Sequence, residues 1–134
     1  MIQEIIGAKF TKIVNDCCKR QSKEFKCTPD QVQIRLYLVG DVVKYDITQD
    51  YQVKKSDVSF KAEVLDSLLD MFGYEALCTP YFFNSFSRVE AEYQIPKEKT
   101  SFFIVSKDKK QKIAVFNGGT MVKVLEAEYF YKET

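Results

Sequence analysis

Histidine is absent from this chain of 134 residues. That absence removes Ser-His-Asp and Cys-His catalysis, HExxH zinc sites and the commonest general base at neutral pH. Glycine is scarce, with five residues, and Gly118-Gly119 is the sole adjacent pair. Neither G-x-x-x-x-G-K nor G-x-G-x-x-G occurs, so no phosphate-cradling loop is written. The four cysteines, Cys17, Cys18, Cys27 and Cys78, include no C-x-x-C pair, which leaves no thioredoxin-like motif and no zinc knuckle. Adjacent Cys17 and Cys18 point about 100° apart on a helix and make a poor disulfide pair. The expectation is Cys17 in the core, inert thiols elsewhere, and no metal or cofactor. Long apolar runs are missing too: none approaches the roughly 18 residues a membrane span needs. The start, Met1-Ile2-Gln3-Glu4-Ile5, has no basic lead and no small-residue cleavage site, so no signal peptide is expected. Cytoplasmic localisation, with no membrane partner, is the resulting expectation.

What is present is ordinary for a globular protein: 46% hydrophobic and 29% charged residues. The length predicts one domain over 1–134, long enough to bury a core without staples. Residues 2–25 read as an amphipathic helix, with Ile2, Ile6, Phe10, Ile13, Val14 and Cys17 recurring at three- and four-residue steps. Lys26-Cys27-Thr28-Pro29-Asp30 ends it, because proline and its neighbours resist helix.

Val32–Val39 and Val42–Thr48 then flank Gly40-Asp41, a two-residue hairpin turn. Its register sets Leu38 opposite Val43, Leu36 opposite Tyr45 and Ile34 opposite Ile47, all apolar and on one face. On the other face it sets Arg35 against Asp46, a favourable cross-strand charge pair.

A second helix is predicted over 59–72, with Ser59 as N-cap, an apolar side of Phe60, Val64, Leu65, Leu68, Leu69 and Phe72, and Gly73 at its end. Residues 74–86 are aromatic and read as either helix or strand. Val89, Ala91, Tyr93 and Ile95 alternate with Arg88, Glu90, Glu92 and Gln94, which reads as a half-exposed strand. Phe102–Val105, Ile113–Phe116 and Met121–Leu125 complete a meander, joined by Lys107-Asp108-Lys109-Lys110 and by Gly118-Gly119. Pairing across those turns puts Phe102, Ile104, Ile113, Val115, Val122 and Val124 on one face. Phe103, Val105, Ala114, Phe116, Met121 and Leu125 fall on the other.

The fold class is therefore α+β: an N-terminal helix, a β-hairpin, a second helix and an antiparallel meander (α-β-β-α-β-β-β-β), one mainly antiparallel sheet packed by two helices. Both sheet faces are apolar, whereas an antiparallel sheet usually leaves one face wet. One helix on each face is the simpler cover; a second copy or another protein is the alternative. In element order the chain is similar to PAS, profilin and roadblock-type domains, and with its leading helix to a nuclear-transport-factor-2-like cone. That resemblance is one of topology and carries no function.

Charge is uneven along the chain. Residues 1–40 carry 7 basic and 4 acidic groups, residues 41–80 carry 4 and 8, and residues 81–134 carry 9 and 7. Lys9, Lys12, Lys19, Lys23 and Lys26 share a flank of the first helix, interrupted by Asp16, and Lys107, Lys109, Lys110 and Lys112 crown a hairpin tip. Either cluster could touch nucleic-acid phosphates. A solvated face and an aggregation-blocking turn explain them more simply, since lysine, not arginine, dominates.

Three function classes follow. The first is a non-enzymatic interaction or assembly subunit, of the kind a phage or mobile element would encode. Its contact, with a protein partner or as a homo-oligomer, would involve Tyr81, Phe82, Phe83 and Phe86 or the C-terminal Tyr129, Phe130 and Tyr131. The second is a sensor-like small-molecule module walled by Tyr45, Phe72, Tyr81, Phe83 and Tyr93. The third is a histidine-free enzyme running on carboxylates or a lysine; a nucleic-acid accessory role through the two lysine clusters stands beside them.

Overall fold

The computed structural model of the chain describes residues 2–40, 42–56, 84–108 and 110–129. Helix α1 spans Ile2–Phe25 and packs its later turns inward through Val14, Cys17 and Cys18, all fully buried. It stops in a left-handed residue: Lys26 has φ 59°, and the Cys27 N–H reaches back to the Ser22 carbonyl at 3.0 Å. That six-to-one bond is the Schellman closure, made here without the usual glycine. A single 3-10 turn, Pro29–Gln31, then delivers the chain to the sheet.

Six strands follow: β1 (Val32–Val39), β2 (Val42–Gln49), β3 (Gln52–Ser56), β4 (Thr100–Lys107), β5 (Lys110–Asn117) and β6 (Thr120–Glu126). They form one sheet in the order β3-β2-β1-β4-β5-β6, antiparallel at every step. Two three-stranded meanders thus meet where β1 pairs β4, with Leu36 opposite Phe102 and Arg35 opposite Phe103. The α+β class stands, as does the β1–β2 register, including Ile34 opposite Ile47 and Arg35 opposite Asp46.

Two elements differ from the sequence reading. The predicted strand over 88–95 is instead mostly helix: α2 runs Asn84–Tyr93. Phe86 and Val89 are buried and Tyr93 half-buried, an i, i+3, i+7 stripe, whereas Ala91, which a strand would have turned inward, is exposed. Gln94, at φ 55°, closes α2 with the bond from the Ile95 N–H to the Glu90 carbonyl at 3.1 Å, the same device that ends α1. The other difference is β3, which carries a single apolar residue, Val53. Its turn, Asp50-Tyr51, has positive φ at both residues without an Asn-Gly signature. The predicted helix over 59–72, its Gly73 cap, Cys78 and residues 74–83 lie outside the described residues.

The sheet has a helix-covered face. Ile34, Leu36, Ile47, Phe102, Ile104, Ile113 and Val115 are buried there with Val14, Cys17, Cys18, Phe86 and Val89. Phe86 and Phe102 stack with ring centroids 4.5 Å apart. Both described helices lie on this one face.

On the opposite face, Phe103 and Ala114 at the centre are buried. Tyr51 folds over that centre, 5.2 Å from the Phe103 ring and 5.5 Å from Phe116. The meander register needs one correction. Ile113 opposes Leu125 and Ala114 opposes Val124, because a bulge in β6 at Val122 interrupts the pairing between Phe116–Met121 and Val115–Lys123. One extra residue flips every side chain beyond it. Leu125 therefore belongs to the helix-covered face and Val124 to the opposite one.

Candidate functional site

Two regions qualify as sites, one apolar and one polar. The apolar one is built by the outer strands. β3 and β6 are the sheet's edges among the described residues, and each contains a register shift. On the face opposite the helices these strands present Val53, 51% exposed, Met121, 44%, and Val124, 50%. Val39 at the end of β1 and Val122 at the bulge are exposed as well.

Scattered surface valines are normal, but these occupy the rim of a face whose centre is aromatic. Tyr51 sits at the centre's border in a backbone region costly for a bulky residue, φ 67°. Its N–H bonds Gln33 Oε1 at 2.7 Å, and the Thr48 hydroxyl donates to the same oxygen at 2.7 Å. Gln33 thereby ties the β2–β3 turn to β1 and holds the Tyr51 ring over Phe103.

Beside this aromatic group lies a charged one. Arg35 donates to Asp46 at 3.0 Å and stacks 4.3 Å over the Tyr37 ring, and the Tyr37 hydroxyl reaches Asp46 at 3.4 Å. Asp46 is buried, so its charge is held by partners rather than by water.

The polar region is a cleft of about 610 Å³ where the middle of α1, the Pro29–Gln31 turn and the β4–β5 hairpin meet. Asn15, Asp16, Lys19, Pro29, Asp30, Ser106, Lys107 and Asp108 line it. Beside it, the Asn15 side-chain oxygen accepts from the Ser106 hydroxyl and from Gln111 Nε2, the latter at 2.6 Å. On the α1 side Lys12 donates to Asp16 at 2.8 Å, and that hydrogen bond holds the Asp16 carboxyl below its usual range.

The cleft thus brings Lys19 from the helix cluster and Lys107 from the hairpin cluster to one place. Asp16, Asp30 and Asp108 line the same cleft, so acidic and basic side chains mix there. Lys23, Lys26 and Lys110 point to solvent, and Lys112 pairs with Glu126. The side chains of Lys9 and Lys109 lie outside the described residues.

The expected aromatic contact is redistributed. Phe86 is 1% exposed, stacked on Phe102 in the core, so its assignment to a partner surface is corrected. Its helical spacing with Val89 turns it inward. Tyr129, in a 3-10 turn at Ala127–Tyr129, is half-buried against the core, its ring 4.3 Å from the Arg88 guanidinium. Burial pushes its hydroxyl pKa up. Tyr81, Phe82, Phe83, Phe130 and Tyr131 lie outside the described residues.

Of the expected ligand-pocket wall, Tyr93 packs half-buried on the core, and Phe72 and the Tyr45 side chain are not among those described. Cys17 and Cys18 are buried cysteines, and burial drives the Cys18 pKa up to about 12. Among the described residues no three Cys, Asp or Glu side chains converge as a metal-holding group, and no helix is long and apolar enough to cross a membrane.

Sequence reasoning missed Val39, Tyr51 and Val53 as surface residues and placed Val124 on the wrong face. The period-2 pattern of Met121–Leu125 carried no trace of the bulge that decides the matter. The sequence matches no family model, no curated protein and no solved structure.

Proposed function

We propose that this chain is a non-enzymatic interaction or assembly subunit that buries apolar sheet surface against a second copy of itself or another protein. The observation that carries this reading is the exposure of Val53, Met121 and Val124 on one face of the outer strands. Apolar side chains at the two edges of a sheet face gain about 25 cal/mol per Å² when a partner removes them from water. A direct edge-to-edge extension of the sheet is the less favoured geometry. Both edge strands are bulged, and Lys54, Lys55 and Lys123 stud them, features that discourage strand addition. The contact is therefore made through side chains on the face, as in the packing of one sheet on another.

Light scattering on eluted peaks, across a concentration series, tests this. Self-association with a mass that is a multiple of 15.6 kDa supports the reading. A strict monomer at high concentration counts against a second copy as occupant.

A second reading has one specific observation behind it. The 610 Å³ cleft lies within the size range of small-ligand sites, and its mixed lining suits a small polar ligand with charges of both signs rather than the apolar molecule an aromatic wall would take.

A further inference from the structure

Tyr129, packed half-buried against the core, is also gripped by a side chain of α2. Arg88 of α2 donates from Nη2 to the Tyr129 carbonyl at 2.8 Å and lies 4.3 Å over the Tyr129 ring, and the same nitrogen contacts the Ser85 hydroxyl at 3.2 Å. Yet this grip is incompletely satisfied. Arg88 Nε and the Tyr129 hydroxyl are both buried without a hydrogen-bond partner among the described residues. Each such group forfeits its hydration on closing and gains no bond in return.

The strand leading to the grip is equally lightly held. Every residue of β6 except Leu125 is exposed, while Ile113, Ala114 and Val115 of β5, directly beneath, are buried. Among the described residues, β6 adds to its ladder with β5 the packing of Leu125 on the core and the exposed Lys112–Glu126 pair, and exposed pairs contribute little. The turn that leads into it is Gly118-Gly119, with Gly118 at φ 60° and its N–H donating to the Lys99 carbonyl at 2.8 Å.

We propose that β6 and the Ala127–Tyr129 turn form a strap that opens as one unit while the rest of the sheet stays folded, with the Arg88–Tyr129 contact as its latch. Opening about Gly118-Gly119 lifts Leu125 and Tyr129 from the core and leaves β5 as a bare edge. Segments with few buried apolar contacts and solvent-facing ladders open below the global unfolding free energy. This proposal does not require the self-association argued above.

Native-state hydrogen exchange on the full chain tests it. The β5-directed amides of Thr120–Glu126 exchange at least about tenfold faster than ladder amides of β1 and β4. Arg88→Ala, which removes the charge-assisted bond and the ring contact together, speeds the β6 amides by about a further tenfold and leaves β1 and β4 unchanged. Tyr129→Phe, which deletes only the unpartnered hydroxyl, slows them. Where Arg88→Ala does not fold, Tyr129→Phe alone decides: slower exchange confined to β6 supports the strap, and no change overturns it. Wild-type β6 exchanging in step with β1 and β4, or Arg88→Ala accelerating all strands equally, also overturns it.

Discussion

Arg35 and Asp46, eleven residues apart in sequence, face each other across β1 and β2 and form an ion pair at 3.0 Å on the face opposite the helices. The carboxylate is almost wholly buried and the guanidinium about one-third exposed. The pair stands at the middle of the sheet and ties its register to its electrostatics.

Removing one partner is accordingly expected to cost more than an average surface pair. Arg35→Ala leaves the buried carboxylate, among the described residues, with the Tyr37 hydroxyl as its side-chain partner and costs about 2–3 kcal/mol in chemical denaturation. Asp46→Asn keeps an acceptor without the charge and costs less. Equal and negligible effects, within about 0.5 kcal/mol, would show the pair to be incidental.

Phe86 is expected to behave as core. Phe86→Ala removes the ring stacked on Phe102 and lowers stability by about 3–5 kcal/mol, read as a shifted denaturation midpoint. A folded variant of unchanged stability and altered association would return this residue to the surface.

The buried thiols give a pH prediction. The Cys18 pKa is raised from 9.0 to about 12, chiefly by burial, so the folded state keeps its proton where the unfolded chain has lost it. Its contribution to stability is present in full below about pH 9 and declines as pH rises towards 12, by at most about 1.4 kcal/mol per pH unit. In native protein an alkylating reagent modifies Cys27 and spares Cys17 and Cys18, which react only on unfolding. Peptide mass mapping after a short pulse reads this; rapid modification of Cys17 or Cys18 contradicts the packing of α1.

How much of this was legible in the sequence depended on how local the determinant was. The β1–β2 hairpin was readable because Gly40 fixes a two-residue turn and both faces then had to agree, apolar with apolar and Arg35 with Asp46. Helix α1 was readable from its stripe and from Pro29. By contrast, α2 was hidden because Val89, Ala91, Tyr93 and Ile95 alternate with charges over a stretch too short to separate period 2 from period 3.6. The residue that settles it, Phe86, lay in the aromatic run. Strand β3 has almost no pattern of its own; it exists because β2 offers an edge and Tyr51 finds Phe103. The bulge at Val122 is a tertiary accommodation, and with it went the assignment of Val124, the residue on which the candidate surface partly rests. The cleft depends on three elements distant in sequence, so neither lysine cluster revealed that Asp30 and Asp108 would meet it.

The charge arrangement in that cleft has a measurable consequence. If Lys19 and Lys107 served nucleic-acid phosphates, their alanine variants would weaken binding to a single-stranded oligonucleotide with a steep salt dependence. With Asp16, Asp30 and Asp108 lining the same cleft, the wild-type chain is expected to bind such a probe no more tightly than about 100 μM at 150 mM salt, by fluorescence anisotropy. Micromolar binding abolished by either substitution would contradict this and revive the nucleic-acid reading.

The proposed protein contact on the outer-strand face is tested by the solution mass of the wild-type chain beside a Val53→Lys/Val124→Lys double variant, by light scattering at matched concentrations. Both positions are half exposed, so the variant is expected to keep the wild-type melting temperature within a few degrees. Self-association through this face gives a wild-type mass that rises with concentration to a defined multiple of 15.6 kDa, and a variant that stays monomeric while folded. A wild-type monomer up to millimolar concentration, indistinguishable from the variant, would contradict self-association through this face.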